Sequence, residues 1–341
     1  MLSMLRKELS RPGYLLALSS VIFSYFVVTI GAYTRLVDAG LGCPDWPFCY
    51  GHLWAPLTDE AISYANQAWP DFPVNHDIIW PEMLHRYVAT FLGLMVLGLW
   101  WITWRHRNVP GQPIKLPIAI GIIICIQAAF GAWTVTLKLW PQVVTAHLLG
   151  GFLTATLLWL LALRLSGWQP GLRWVHTQYM SMKLAVVTLV ALVIQIALGG
   201  WTSANYAALA CPDFPTCQGY WFPPFDYARG FDIFQSVGPN YLGGKLDGEA
   251  RGAIHHVHRV GAVVVTVLML VLSWQTFRAG LQSLAKLLVA TLVVQIALGI
   301  INVYFALPLW AATAHNGVAL VLLMVLTTIL YRMYRELSYD Q

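Results

Sequence analysis

Glu82-Met83-Leu84-His85-Arg86 opens one long apolar run, and His255-His256-Val257-His258-Arg259 opens another at the corresponding place in the second half of the chain. Thr145-Ala146-His147 and Thr313-Ala314-His315 open two more. Each half therefore carries two histidines, each near the start of a run long enough to cross hydrocarbon, so these phrases fix both the architecture and the place to look for chemistry.

Eight such runs can be marked, at about 14–35, 82–104, 116–137, 142–165, 182–203, 253–277, 284–306 and 309–331. Helices are expected, because lipid cannot satisfy a free backbone amide. Composition agrees: 58% hydrophobic against 10% charged residues is too oily for two soluble domains. The first run exceeds the core of a secretory signal and lacks an A-x-A site at its end, so it is read as a retained span. The net charge of +5 is strung between the runs and forms no groove-sized patch, which sets nucleic acid aside.

The basic residues Arg6, Lys7, Arg11, Arg105, Arg107, Lys115, Arg164, Arg173, Lys183, Arg278, Lys286, Arg332 and Arg335 all fall on one side, which the positive-inside tendency makes cytoplasmic. Both termini are then inside. The second, fourth, sixth and eighth runs start at the outer face, where the four phrase histidines lie.

An internal repeat organises the chain. Gly31-Ala32-Tyr33-Thr34 and Cys43-Pro44-Asp45-Trp46-Pro47-Phe48-Cys49 return as Gly199-Gly200-Trp201-Thr202 and Cys211-Pro212-Asp213-Phe214-Pro215-Thr216-Cys217. Cys43 and Cys211, Gln127 and Gln295, and His147 and His315 are each 168 residues apart, whereas His85 and His258 are 173 apart, a small insertion in the loop between. The reading is an all-α membrane protein of eight transmembrane helices in two like four-helix bundles, residues 1–170 and 171–341, related by an axis along the membrane normal.

A lone histidine in a membrane helix is often a polar residue bonded to a neighbour. Four at repeat-related positions and one depth point instead to a site, since intramembrane ionisable groups are costly and usually functional. Paired imidazoles from facing helices suit a planar ring with one axial ligand on each side, as in b-type haem. Zinc or copper alone would want further ligands, and only Glu82 and His255 are near in sequence. In the sixth run His258 is chosen because Arg259 follows it as Arg86 follows His85; His255 then occupies the place of Glu82. His256 is expected to point elsewhere, and His52, His76, His106 and His176 to lie in loops.

Two readings of Arg86 and Arg259 stand side by side: partners for haem propionates, or snorkelling interfacial anchors. Glu82 likewise is either an acid that moves protons or stabilises charge at a bound substrate, or a first-turn residue after Pro81. Each C-x5-C pair lies in an outer, oxidising loop, where a local disulfide is the default; a redox role stays open for Cys43 and Cys49. Cys125 is read as a small packing residue.

Together the E-x-x-H-R phrase, its H-R counterpart, the two later histidines and the paired CPD-W/F-P-x-C loops resemble the heme A synthase family, over about Gly31 to His315. The resemblance implies an oxidoreductase of the bacterial inner membrane, with its haem sites toward the periplasm, oxidising a methyl group of haem O to the formyl group of haem A for terminal oxidase assembly. It implies a resident haem b on His258 and His315, and a substrate haem O on His85 and His147 beside the functional Glu82. Cys211 and Cys217 would be a structural disulfide, with Cys43 and Cys49 structural or redox-active. Partners in keeping with it are the farnesyltransferase that makes haem O, oxidase assembly factors, the lipid bilayer and a second copy of the chain. Two other classes are weighed against it. A dihaem electron carrier has no need of Glu82 in one half only, and a transporter favours an inverted repeat with a midplane site.

Overall fold

The computed structural model describes residues 10–167 and 181–339, with side chains to residue 336. Among these the chain is helical with no strands: α1 Tyr14–Leu36, α2 Asp59–Ala68, α3 His76–Arg105, α4 Lys115–Thr136, α5 Pro141–Leu165, α6 Met182–Ala204, α7 Tyr227–Gly230, α8 Gly248–Arg278, α9 Gln282–Tyr304 and α10 Leu309–Tyr339, with one turn of 3₁₀ helix at Ala39–Leu41. All but α2 and α7 are long and apolar enough to span a membrane. Arg6, Lys7, Arg173, His176 and the expected boundary at residue 170 lie outside the described residues.

Two helices start earlier than hydropathy indicates. Asn75 caps α3, its side chain accepting from Asp77 N–H at 3.0 Å, and Asp77 is the acid of the first turn. Pro81 therefore lies inside the helix, Glu82 lies beyond the first turn, and the helix-start reading of Glu82 is corrected. His76 is the first residue of α3 and His106 its C-cap, so neither is a loop residue. Asp247 caps α8 through Ala250 N–H at 2.9 Å, and the polar first turns of that helix, with Glu249 and Arg251, fall below any apolar threshold. The short helix α2 was not anticipated, although Thr58 capping Ala61 with Asp59 and Glu60 in the first turn is an ordinary start signal.

Each of α1, α4, α6 and α9 packs on the helix that carries the next histidine: α3, α5, α8 and α10 in turn. All four end alike, with a residue of positive φ seven positions after a glycine: Asp38 after Gly31, Lys138 after Gly131, Tyr206 after Gly199 and Ala306 after Gly299. In the middle of the molecule α1 packs on α10, α5 on α6, and α5 on α10, leaving α3, α4, α8 and α9 outside. Buried Phe152, Leu192, Met269, Leu288, Leu320 and Leu326 join the two halves of the chain in one core, and Val21, Leu92, Val96, Leu99, Leu158 and Leu161 form a second. The outer helices turn Phe91, Leu94, Leu97, Ile122, Val263, Val267 and Val293 outward, as a lipid-facing surface requires. Cys125 is exposed among them on α4, so it is not a packing residue.

Residues equivalent by the 168-residue offset touch each other. Arg35 Nη2 donates to Ser203 O at 2.6 Å, and Tyr206 OH donates to Asp38 Oδ1 at 2.7 Å. The Arg35 guanidinium lies 4.0 Å from the centre of the Tyr206 ring. At the other end Arg11 binds the carbonyls of Pro110 and Arg164, which gathers the basic turns there.

Candidate active site

The four histidines lie in α3, α5, α8 and α10, and each edge-on ring meets a glycine of the paired helix. A Cβ at Gly31 would stand 2.7 Å from His85 Cε1, one at Gly131 3.3 Å from His147 Cε1, one at Gly199 3.2 Å from His258 Cε1, and one at Gly299 3.3 Å from His315 Cε1. Glycine is needed there because the helix must approach the ring closely. His85 and His147 face each other with ring centres 6.4 Å apart and planes at 89°.

Glutamines lie one turn before three of these glycines. Gln127 Nε2 donates to His147 O at 2.8 Å, Gln195 Nε2 to His258 O at 2.9 Å while also lying 3.1 Å from His258 Nδ1, and Gln295 Nε2 lies 3.2 Å from a ring nitrogen of His315. The fourth position, before Gly31, is Val27. Sequence reading noted Gln127 and Gln295 but not Gln195; the signal was Q-x3-G, written three times.

The first pair has the spacing a haem needs. With roughly 2 Å from a metal ion to an imidazole nitrogen, two rings bound to one metal stand about 6 Å apart, centre to centre, which the first pair matches. Nδ1 of His85, His147 and His315 is buried with no hydrogen-bond partner in the protein, a state that polar groups at ligand positions show and packing histidines avoid. Among the described residues no three His, Cys, Asp or Glu side chains converge as a metal site.

Above each pair sits a cysteine loop. Cys43 is bonded to Cys49 and Cys211 to Cys217, with Cα atoms 4.9 and 4.7 Å apart. Asp45 accepts from Tyr50 and Gly51 N–H, and Asp213 from Gln218 and Gly219 N–H, so each loop closes on its own aspartate. Thr216 OH and the Gly219 N–H hold the Asp213 carboxyl down at about 2. Burial, then the Glu82 and Asp45 carboxylates, push the Tyr50 phenol up to about 12, so it is a standing donor to Gly42 O.

The loops are latched to the histidine helices, and here the halves diverge. Cys43 N–H donates to Glu82 Oε2 at 3.0 Å, and Cys211 N–H approaches His255 Nδ1 at 3.4 Å. Arg86 pairs with Glu82 Oε1 and donates to Asp45 O and Phe48 O; Arg259 donates to His255 Nε2, Asp213 O, Thr216 O and Cys211 O. The donors of Arg86 and Arg259 thus face the loops. Glu82 and His255 hold one structural position, both buried, at 5% and 6% exposure, and only the first is a carboxylate. His256 points away to Tyr227 OH and Trp221 O.

A family model described as cytochrome oxidase assembly protein (COX15-CtaA) matches residues 14–327. The heme A synthase of Shewanella oneidensis is 45% identical over 320 residues, 94% of this chain and 96% of that protein. Those of Caulobacter vibrioides and Rickettsia prowazekii are 27% and 24% identical, covering 98% and 90% of this chain and 100% and 93% of theirs. On that match, which reaches into all eight membrane-length helices and covers every histidine of the site, the chain belongs to the COX15-CtaA family of cytochrome oxidase assembly proteins.

Proposed function

We propose that this protein makes haem A by oxidising a methyl group of haem O, bound between His85 and His147, to a formyl group. The observation that carries it is an acidic difference between two related sites: Glu82 where the second half has His255. A carboxylate one turn from a ligand histidine lies on the same helix face as that ligand. Buried and bonded to Cys43 N–H and Arg86, it is held in place to receive a proton or to stabilise positive charge as the methyl group is oxidised. Arg86 orients Glu82 and closes the loop over the site. Gly31 and Gly131 admit the two rings, and Gln127 holds the α5 backbone at His147.

The second pair, His258 and His315, would hold a resident haem b. When bound, that haem supplies one-electron transfer, carrying electrons away from the substrate. Gln195 and Gln295 support this assignment, since a ligand histidine is commonly oriented by a second partner. Two repeated four-helix bundles form the reading of the fold, supported by the 168-residue contacts of Arg35 with Ser203 and Tyr206 with Asp38. With the basic turns cytoplasmic, both termini lie inside and both sites lie toward the periplasm of a bacterial inner membrane. Haem O, the enzyme that farnesylates haem and the assembly factors of the oxidase are the partners this activity calls for.

The test is to purify the protein from cells making haem O and analyse the extracted haems. The wild type should carry haem b together with haem O or haem A, and Glu82→Ala should accumulate partly oxidised intermediates or haem O in place of haem A. Haem b alone, with no oxidised product from the wild type, would return the electron-carrier reading.

A further inference from the structure

We infer that Arg35 and Arg251 form the carboxylate clamp of the second site, taking the propionates of the porphyrin held between His258 and His315. The inference rests on the reading that this pair holds haem, and it fills the place that Arg86 and Arg259 leave open by turning their donors to the cysteine loops.

A haem is an apolar disc with two carboxylates on one edge. Inside a bundle of apolar helices those carboxylates need cations, because an unpaired buried charge is costly. Arg251 stands in the right place on α8. It precedes His258 by seven residues, two turns, so it lies on the same helix face, about 10 Å nearer the end that carries the cysteine loops. The pairing of α8 with α6 keeps this register. His258 meets Gly199, and six residues further along the chain Arg251 reaches the close of α6, where a Cβ at Gly244 would stand 2.8 Å from Arg251 Nη2 and 3.1 Å from Asn205 O. Arg35 comes to the same helix end from the first half of the chain, donating to Ser203 O and covering the Tyr206 ring at 4.0 Å. The two guanidinia therefore flank Asn205 and Tyr206.

Both are buried short of their bonding capacity. Nε of Arg35 and Nε of Arg251 are enclosed without a hydrogen-bond partner, a state no other arginine shows among the described residues. Asp38, whose side chain is 55% exposed, reaches Arg35 at 3.3 Å and is shared with Tyr206 OH. Arg251 donates to Gly243 O at 3.0 Å and pairs with no carboxylate among the described residues. One exposed anion is thus set against two enclosed cations. A guanidinium offers its donors as a fork that fits a carboxylate, and a buried donor without a partner calls for one.

Neither arginine is repeated. The 168-residue offset takes Arg35 to Ser203, and the 173-residue offset that takes His258 to His85 takes Arg251 to Ile78. The clamp therefore belongs to one porphyrin, which suits a cofactor that stays in place.

The test uses purified holoprotein. Haem loss to excess apomyoglobin is followed, with pyridine haemochrome spectra separating haem b from haem O and haem A, and the haem b band is titrated for its midpoint potential. Arg35→Gln and Arg251→Gln should each lose haem b about tenfold faster or more, as expected for a charge-assisted bond, while haem O or haem A leaves as in wild type. The haem b potential should fall in both, because a cation beside the propionates favours the reduced iron. Arg35→Lys and Arg251→Lys, which keep the charge but not the fork, should hold the wild-type potential and lose haem b at an intermediate rate, a split that a merely structural arginine would not produce. Equal acceleration for both haems, or haem b retained at unchanged potential in both glutamine variants, overturns the inference. If the glutamine variants do not fold, the lysine variants decide, and haem b loss at the wild-type rate overturns it. A wild type purified without haem b would overturn the haem reading itself, and this inference with it.

Discussion

Arg86 and Arg259 make matching bonds to their loops, yet removing them should have unequal effects. Arg86→Ala strands the buried Glu82 carboxylate without its counter-charge, a loss of about 3–5 kcal/mol. Arg259→Ala leaves a neutral imidazole and some unpaired carbonyls, which should cost less, about 1–3 kcal/mol. Thermal unfolding in detergent checks the order: Arg86→Ala should melt well below Arg259→Ala, and equal midpoints would mean that Glu82 carries no charge there. At this scale the sequence was informative about which residues matter and silent about what they touch. His85, His147, His258 and His315 could be named from their recurrence in apolar runs. The bonds from Arg86 and Arg259 to their loops could not, because they end on main-chain carbonyls, which leave no mark in composition.

The cysteine loops are small elements held by one acid each, and Asp213 gives a pH dependence with a definite sign. Its folded value, depressed to about 2 by Thr216 OH and the Gly219 and Gln218 amides, lies below the ordinary aspartate value of 3.8. The group therefore stabilises the loop fully above the ordinary value and progressively less as pH falls from about 4 toward about 2. Reduction of the Cys211–Cys217 bond by a phosphine should accelerate across that window in the wild type. In Asp213→Asn it should be fast throughout, and a wild-type rate flat between those values would remove the assignment. Helix boundaries show where sequence reading stops short. Hydropathy located all eight membrane-length helices but began α3 at Glu82 and α8 at 253, because it follows greasiness while a helix follows its cap. Asn75 and Asp247 were the better markers.

Across the whole molecule the contacts between positions 168 apart predict a weak but specific seam. Tyr206→Phe removes the bond to Asp38 and should lower stability by about 1 kcal/mol or less, the acceptor being partly open to water. A loss several times larger would mean that the hydroxyl's bond to Asp38 is shielded from water. The 168-residue offset was legible from Cys, Gln and His alone; that equivalent residues at the ends of α1 and α6 would meet was not, since a period along a chain says nothing about which copies touch. The second outer loop also crosses to the other half, where Trp140 Nε1 and Gln142 Nε2 bind the carbonyls of Gln235 and Ile233 and Tyr241 N–H binds Lys138 O. Together with the latched cysteine loops this makes a tied roof over a wall of outward-facing Phe, Leu, Ile and Val. The outer mouth is thus laced shut by polar bonds between loops, while the flanks offer only hydrocarbon, so a detergent chosen to extract the protein must coat the flanks without loosening the lacing.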